Sequence, residues 1–362
     1  MNTTETFHGS DIEKIEERFH IPKEQIMQFG ANVNPYGLSS LLQEELAKKI
    51  NCITNYPDPS YRELRTSIGN YCSCPMDHII VGNGSTELIS HMAHFLRPQS
   101  ALVIAPTYSE YAREIGLSGG QITYFKLEEV HSFQIQVDAL LDELSKSYDM
   151  LILCNPNNPT STAINQNDLK RVLAFAKDMN TFVVIDETYI EFDPDMDTIT
   201  AVPLSDSFDN LIILRGISKF FAAPGLRLGY AITSNLSLIA QINEQKNPWS
   251  VNSIAEQAGC IMFQDKAYID QTKALIHKEQ RRIYDILSES ADYHPYLPHG
   301  NFILVKILKE GLTASDLFLR AIKKGMMIRD CSDFMYLDQH YFRFCFLFPE
   351  DNDRLLDCLF QS

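Results

Sequence analysis

No stretch of this 362-residue chain comes near the roughly 18 consecutive apolar residues that a membrane-spanning helix requires. The opening Met1-Asn2-Thr3-Thr4-Glu5 also lacks the basic-then-apolar order of a secretory signal. A soluble cytoplasmic protein is the expectation. Positive charge is short as well: 31 Lys and Arg stand against 47 Asp and Glu, a formal net charge of −16. Such a surface repels nucleic acid and anionic lipid, so an anionic ligand must be met by a local cationic pocket. The eight cysteines (Cys52, Cys72, Cys74, Cys154, Cys260, Cys331, Cys345, Cys358) follow no metal-ligand spacing, and they read as free thiols. The absence of Gly/Ser linkers, charge blocks and internal repeats excludes tandem modules and solenoids.

What is present is ordinary globular composition, with 45% apolar and 22% charged residues. At roughly 150 residues per domain, the length implies one large and one small domain. Between about 78 and 232, short β-branched apolar runs alternate with longer amphipathic stretches, the pattern of an α/β fold with a largely parallel sheet. Strands are expected at His78–Val81, Ala101–Ile104, Met150–Cys154, Thr181–Ile185, Leu211–Leu214 and Leu228–Ile232, with helices over Thr86–Phe95 and Asn167–Lys177. A helical stretch from Asn252 to about Ser290 leads into strands at Phe302–Lys306, Met326–Arg329 and Tyr341–Phe346, a smaller α+β unit. Open α/β sheets bind ligands outside the carboxyl ends of their strands, so the chemistry is expected there.

Four segments fall at such ends. Val81-Gly82-Asn83-Gly84-Ser85-Thr86-Glu87 opens a helix with exposed N–H groups suited to a phosphate. An ordinary βα turn capped by Ser or Thr explains that segment equally well. Its spacing matches neither the dinucleotide fingerprint nor the nucleoside-triphosphate loop. Cys154-Asn155-Pro156-Asn157-Asn158-Pro159-Thr160 must leave the sheet at its prolines and turn its amides toward the crevice. In Val184-Ile185-Asp186-Glu187-Thr188-Tyr189, Asp186 is expected to be buried with a partner and Glu187 to sit at a solvated strand end. Lys219, flanked by Phe220 and Phe221 with Arg227 eight residues on, has the surroundings that turn an amine into a nucleophile toward aldehydes. Phosphate cradle, buried acid and activated lysine together are the parts required to hold pyridoxal phosphate.

On these residues the chain resembles, over essentially its full length, the fold-type I (aspartate-aminotransferase-like) pyridoxal-phosphate enzymes of aminotransferase class I/II. Within them it is most similar to threonine-phosphate decarboxylase and histidinol-phosphate aminotransferase. The motifs that carry the likeness are Asn158-Pro159-Thr160, Asp186-Glu187-Thr188-Tyr189, Ser218-Lys219-Phe220 and Gly225-Leu226-Arg227-Leu228-Gly229-Tyr230. The resemblance implies a large domain over 45–260 with a mainly parallel central sheet. It implies a small domain built from an amino-terminal segment (1–44) and residues 261–362.

It further implies that Lys219 condenses with the aldehyde of pyridoxal 5'-phosphate, that Asp186 keeps the ring nitrogen protonated, and that Asn158 and Tyr189 bond the ring oxygen. Tyr108 would stack on the ring. Gly84, Ser85, Thr86, Ser218 and Arg227 would hold the phosphate, and Tyr56 would reach it across a homodimer interface. Tyr61 and Tyr111 are expected to be core packing. For the substrate, the resemblance assigns Arg343 to a carboxylate and Arg329 to a distal phosphate.

His8, Gly9 and Asn32, in the segments Phe7-His8-Gly9-Ser10-Asp11-Ile12 and Phe29-Gly30-Ala31-Asn32-Val33-Asn34-Pro35-Tyr36-Gly37, belong to the decarboxylase likeness, as does Pro248-Trp249-Ser250-Val251-Asn252. The implied reaction is loss of CO2 from O-phospho-L-threonine, or O-phospho-L-serine, to the amino alcohol phosphate, as in synthesis of the cobalamin side chain. Transamination of histidinol phosphate or a related amino acid is the alternative. A non-catalytic regulator that senses the cofactor is a remote one, since no DNA-binding segment precedes residue 45. No metal, nucleic acid or membrane partner is expected. Three positions depart from the family pattern: Gly216 where Ser or Thr is usual, Ser161 where Gly is common, and Leu347 where a second arginine is expected.

Overall fold

The computed structural model describes Phe7, Gly9 and residues 11–361. Two sheets organise it. Strands β1 (Ile79–Gly82), β2 (Ser100–Ala105), β3 (Gln121–Lys126), β4 (Met150–Cys154), β5 (Phe182–Asp186), β6 (Leu211–Gly216) and β7 (Gly229–Ile232) form the larger one. Their order is β1-β7-β6-β5-β4-β2-β3. β7 is antiparallel to β1 and β6, and the other neighbours are parallel. This is the α/β fold with a mainly parallel central sheet that the sequence implies. Because strand side chains alternate between faces, Leu102, Leu151, Val183 and Leu211 enter one apolar core, while Val103, Ile152, Val184 and Ile212 enter another. Helices such as Ser85–Leu96 and Gln166–Asp178 cover those faces. Burial on both sides explains why β4 and the first four residues of β6 read as unbroken apolar runs.

The smaller sheet is antiparallel: β8 (Tyr293–Pro295), β9 (Phe302–Ile307), β10 (Arg329–Asp330) and β11 (Tyr341–Cys345), in the order β10-β11-β9-β8. The helix Lys266–Ser288 packs on β8 and β9. The amino-terminal segment joins this unit through a bridge between Met27 and Met326 and a bond from Cys345 N to Phe29 O.

One strand expected from the sequence needs correction, and two strands are added to those expected. β3 and β8 were not anticipated: β3 is an edge strand with half-exposed and polar positions, and β8 has only three residues. The strand expected at Met326–Arg329 shrinks to Arg329–Asp330, because Met327 N bonds to Met27 O rather than into the ladder.

The topology gathers the loops that matter. β2 leads outward to β3 while β4 leads the opposite way to β5, so their connections diverge and open a crevice at their carboxyl ends. The antiparallel β7 begins where its neighbours finish: Gly229 is register partner to both Gly82 and Gly216. The segment before β7, which holds Arg227, therefore lies at the same edge as the ends of β1 and β6.

Candidate active site

At that edge lies a cavity of about 580 Å³, walled by both sheets and the amino-terminal segment. Its floor is made from strand ends. Asp186, the last residue of β5, is buried; its Oδ1 accepts from Thr188 N (2.9 Å) and Thr188 Oγ1 (2.6 Å) and its Oδ2 from the Tyr111 hydroxyl (2.7 Å). Burial pushes the pKa of this carboxyl up, and the Thr188 and Tyr111 donors oppose the rise. Lys219, three residues after β6, is half-buried and donates from Nζ to Ala31 O at 2.7 Å. Desolvation, then the nearby Arg343 and Arg227, push its amine down to about 8, so a neutral nucleophile is accessible near physiological pH.

Between β1 and β7 the turn is tight. Gly84 has φ +84°, and a Cβ there would collide with the Arg227 guanidinium. Glycine thus lets the cation lie against the start of the helix Ser85–Leu96, whose dipole adds to it. Ser85, Thr86, Ser218 and Arg227 all line the cavity, so helix end, hydroxyls and guanidinium form a cradle for a phosphate. Tyr108, three residues beyond β2, lines it too, with its ring edge-on to Tyr111 at 5.6 Å and 83°.

The rim comes from distant segments. Arg329 and Arg343 are register partners in β10 and β11, so both guanidinium groups leave the same face of the small sheet. Both are buried. Arg343 donates through Nη1 to the Asn158 side-chain oxygen and through Nη2 to Gly30 O (2.8 Å). Arg329 donates through Nη1 to Phe7 O (2.8 Å) and through Nη2 to both oxygens of Asp333 (2.7 Å each). Asn32, with φ +55°, donates to the Tyr189 hydroxyl at 3.5 Å. Asn32 Oδ1 and Arg343 Nε are buried without a hydrogen-bond partner, polar capacity unspent at the cavity wall.

The structure thus brings Ser85, Thr86, Tyr108, Asn158, Asp186, Tyr189, Ser218, Lys219 and Arg227 together with Gly9, Asn32, Arg329 and Arg343 around one cavity. Gly84 adjoins Arg227. Tyr56 is elsewhere, 82% exposed beside Trp249. His8 lies outside the described residues.

One reading fails. Glu187 is not at a solvated strand end: it is fully buried and its Oε2 accepts from Arg215 Nη2 (2.7 Å) and Nε (3.0 Å). Consecutive residues face opposite sides, so Asp186 meets the cavity and Glu187 the core. Tyr111 packs in the core as expected, and its hydroxyl in addition donates to Asp186; a tyrosine three residues after Tyr108 was the available signal. Asp333, four residues after Arg329, was missed as well.

The departures have local explanations. Ser161 takes φ +59°, the conformation that favours glycine, and its Oγ accepts from Gly300 N (2.8 Å) and His299 N (3.2 Å), which ties the Asn158 turn to the small unit. A Cβ at Gly216 would meet nothing nearer than Leu228 O at 3.5 Å, so β6 has room for the missing hydroxyl. Leu347 is half-buried against the apolar core.

Pyridoxal 5'-phosphate fits this donor set: an amine of lowered basicity for its aldehyde, a buried carboxylate for its ring nitrogen, and a cradle that a Cβ at Gly84 would fill. The family model described as "Aminotransferase class I and II" matches residues 24–359. A Caldanaerobacter subterraneus protein, provisionally named a threonine-phosphate decarboxylase, is 38% identical over 329 residues, 91% of this chain and 88% of its own. The threonine-phosphate decarboxylase of Salmonella typhimurium is 32% identical over 352 residues, covering 97% and 95%. Among solved structures, the histidinol-phosphate aminotransferase from Clostridium acetobutylicum superposes with a TM-score of 0.85 at 31% identity, over 91% of this chain and 97% of that one.

Proposed function

This chain belongs to the class I and II aminotransferase family and is a pyridoxal-phosphate-dependent enzyme, and from that premise we propose that it decarboxylates a phosphorylated amino acid. The substrate is O-phospho-L-threonine or O-phospho-L-serine, and the product an amino alcohol phosphate suited to the cobalamin side chain. The observation that carries this reading is the pairing of Arg329 with Arg343 across one antiparallel ladder. Like charges directly opposite each other destabilise a sheet, more so when buried, and such a pair is retained where a ligand brings two anionic groups. Arg343 suits a planar carboxylate held by two parallel bonds, and Arg329 a distal phosphate.

Ser85, Thr86, Ser218 and Arg227 would hold the phosphate of the cofactor, Asp186 its ring nitrogen, Tyr108 its ring face, Asn158 and Tyr189 its ring oxygen, and Lys219 its aldehyde carbon. When bound, pyridoxal phosphate supplies an electron sink for the pair left behind when a bond to the substrate Cα breaks. The chain decides which bond that is. Arg343 and Arg329 fix the two anionic ends of the substrate and so set the rotation about Cα. With the carboxylate aligned for departure, the Cα–carboxylate bond breaks, CO2 leaves, and Lys219 Nζ delivers a proton to Cα. With the Cα–H bond aligned instead, Lys219 Nζ removes that proton, the first step of transamination. Phe302 lies edge-on to Tyr189 at 4.8 Å, and Phe334 and Met335 add apolar surface to the cavity wall.

Transamination of histidinol phosphate is the second reading. Leu347, where the decarboxylase likeness calls for an arginine, favours it, as does the likeness to the Clostridium acetobutylicum enzyme. Incubation with O-phosphothreonine, and separately with histidinol phosphate plus 2-oxoglutarate, decides between them. We expect CO2 from the first and no glutamate from the second; glutamate without CO2 overturns the decarboxylase.

We also assign the enzyme to a cytoplasmic homodimer with a large domain over 45–260, its partner covering the exposed Leu38, Leu41, Ile50, Ile53, Tyr56 and Trp249. Tyr56 would then serve the neighbouring site. No helix among the described residues is long and apolar enough to cross a membrane.

A further inference from the structure

Asp186 sits in an unusual electrostatic position for a buried acid. The titratable groups that face it are Tyr111 and Tyr108 from the segment after β2, Cys154 at the end of β4, and Tyr189 beyond β5. Burial pushes each of these toward its neutral form, and none brings a positive charge. Among the described residues, the charge on Asp186 is therefore held by hydrogen bonds. The two donors of Thr188 both go to Oδ1, while Oδ2 receives the Tyr111 hydroxyl at 2.7 Å.

The same tyrosine touches a second part of the site. Its ring meets Tyr108 edge-on at 5.6 Å. Tyr111 is about 1% exposed and anchored in the helix Glu110–Leu117, so both contacts are made from a fixed base.

We propose that Tyr111 is a positioning residue for the reaction: its hydroxyl orients Asp186 and keeps it ionised toward the cofactor ring nitrogen, while its ring sets the angle of Tyr108 against the ring face. This rests on the reading of Asp186 as the partner of that nitrogen. A phenol suits the task because its proton stays in place over the working pH range, whereas a cation there would compete with the ring for the same carboxylate. With the donor removed, Asp186 takes up a proton more readily, the ring nitrogen loses positive charge, and the nitrogen bonded to the cofactor holds its proton to higher pH.

The test uses holoenzyme carrying Tyr111→Phe, Asp186→Asn, or 3-fluorotyrosine at position 111, the last equal in size and a stronger donor. Absorbance of the bound cofactor against pH, cofactor dissociation, and separate kcat and KM values are the readouts. For Tyr111→Phe we expect a midpoint moved upward, cofactor affinity weakened about tenfold, and kcat lowered more than KM. Fluorotyrosine should move the midpoint downward. An unchanged midpoint in Tyr111→Phe beside a shifted one in Asp186→Asn overturns the proposal and leaves Tyr111 as packing. An unchanged midpoint in Asp186→Asn overturns both it and the reading of Asp186. Should Tyr111→Phe fail to fold, a fluorotyrosine enzyme with an unmoved midpoint is sufficient to reject it.

Discussion

The floor and the rim of the cavity are built by different means. Each floor residue follows a strand of the large sheet within a few positions: Tyr108 after β2, Asn158 after β4, Asp186 at the end of β5, and Ser218 and Lys219 after β6. Rim contacts join residues far apart in sequence, Arg329 to Phe7, Arg343 to Gly30 and Lys219 to Ala31. A floor made this way is fixed by the sheet, and on our proposal it does the same chemistry whatever the amino acid. A rim assembled from a second sheet and an amino-terminal strap can change with the substrate while the chemistry beneath stays the same.

That contrast is broken most severely at Lys219. Lys219→Ala should lower kcat by about 10²- to 10⁴-fold with every amino acid substrate, whatever its side chain. A loss confined to phosphorylated substrates in single-turnover assays would mean that the floor is not general. Glu187→Ala tests the layer beneath it. Removing one partner of the buried pair leaves Arg215 uncompensated and should cost about 3–5 kcal/mol of stability, read as a lower Tm, with Glu187→Gln intermediate.

At the rim, Arg343→Ala should raise KM about 10- to 100-fold through lost bonds to the substrate carboxylate, while cofactor binding holds. Smaller again is Asp333→Asn. Asp333 engages Arg329 Nη2, the group we assign to the substrate phosphate, so a phosphorylated substrate must share or displace it. Neutralising a half-exposed partner should lower KM for O-phosphothreonine by up to about fivefold and leave KM for L-threonine unchanged.

A final test sharpens the floor itself. An amine pushed down to about 8 should combine with added pyridoxal phosphate at a rate that rises with pH and levels off above that value. An unperturbed lysine would still be accelerating near pH 10. The unfolded chain binds the proton more tightly between about 8 and 10.5, so the cost of burying this amine is full below that window and fades as pH rises through it.

Much of the floor was legible because local chemistry wrote it. A buried parallel strand is an unbroken apolar run, and the first polar residue after it, such as Asp186, marks its end. The adjacent Glu187 shows where that reasoning stops: its identity is as plain as that of Asp186, but its fate depends on Arg215, 28 residues away on the neighbouring strand. β3 escaped notice because an edge strand such as Gln121-Ile122-Thr123-Tyr124-Phe125-Lys126 buries none of its positions fully. The role of Tyr111 was hidden for a simpler reason, since a hydroxyl that meets a carboxylate leaves no trace in the spacing of apolar residues.

By itself the chain determined its α/β alternation, the strand ends where the cavity lies and the lysine that lines it, because hydrophobic period and the punctuation of Gly, Pro and Asn act over a few residues. Only the tertiary structure decided which acid faces the cavity, which tyrosine bonds to it, and that two arginines pair across strands of the small sheet at the same cavity. Those outcomes depend on strand pairing and on contacts between segments up to 322 residues apart, where the deciding terms are burial and the partner each charge finds.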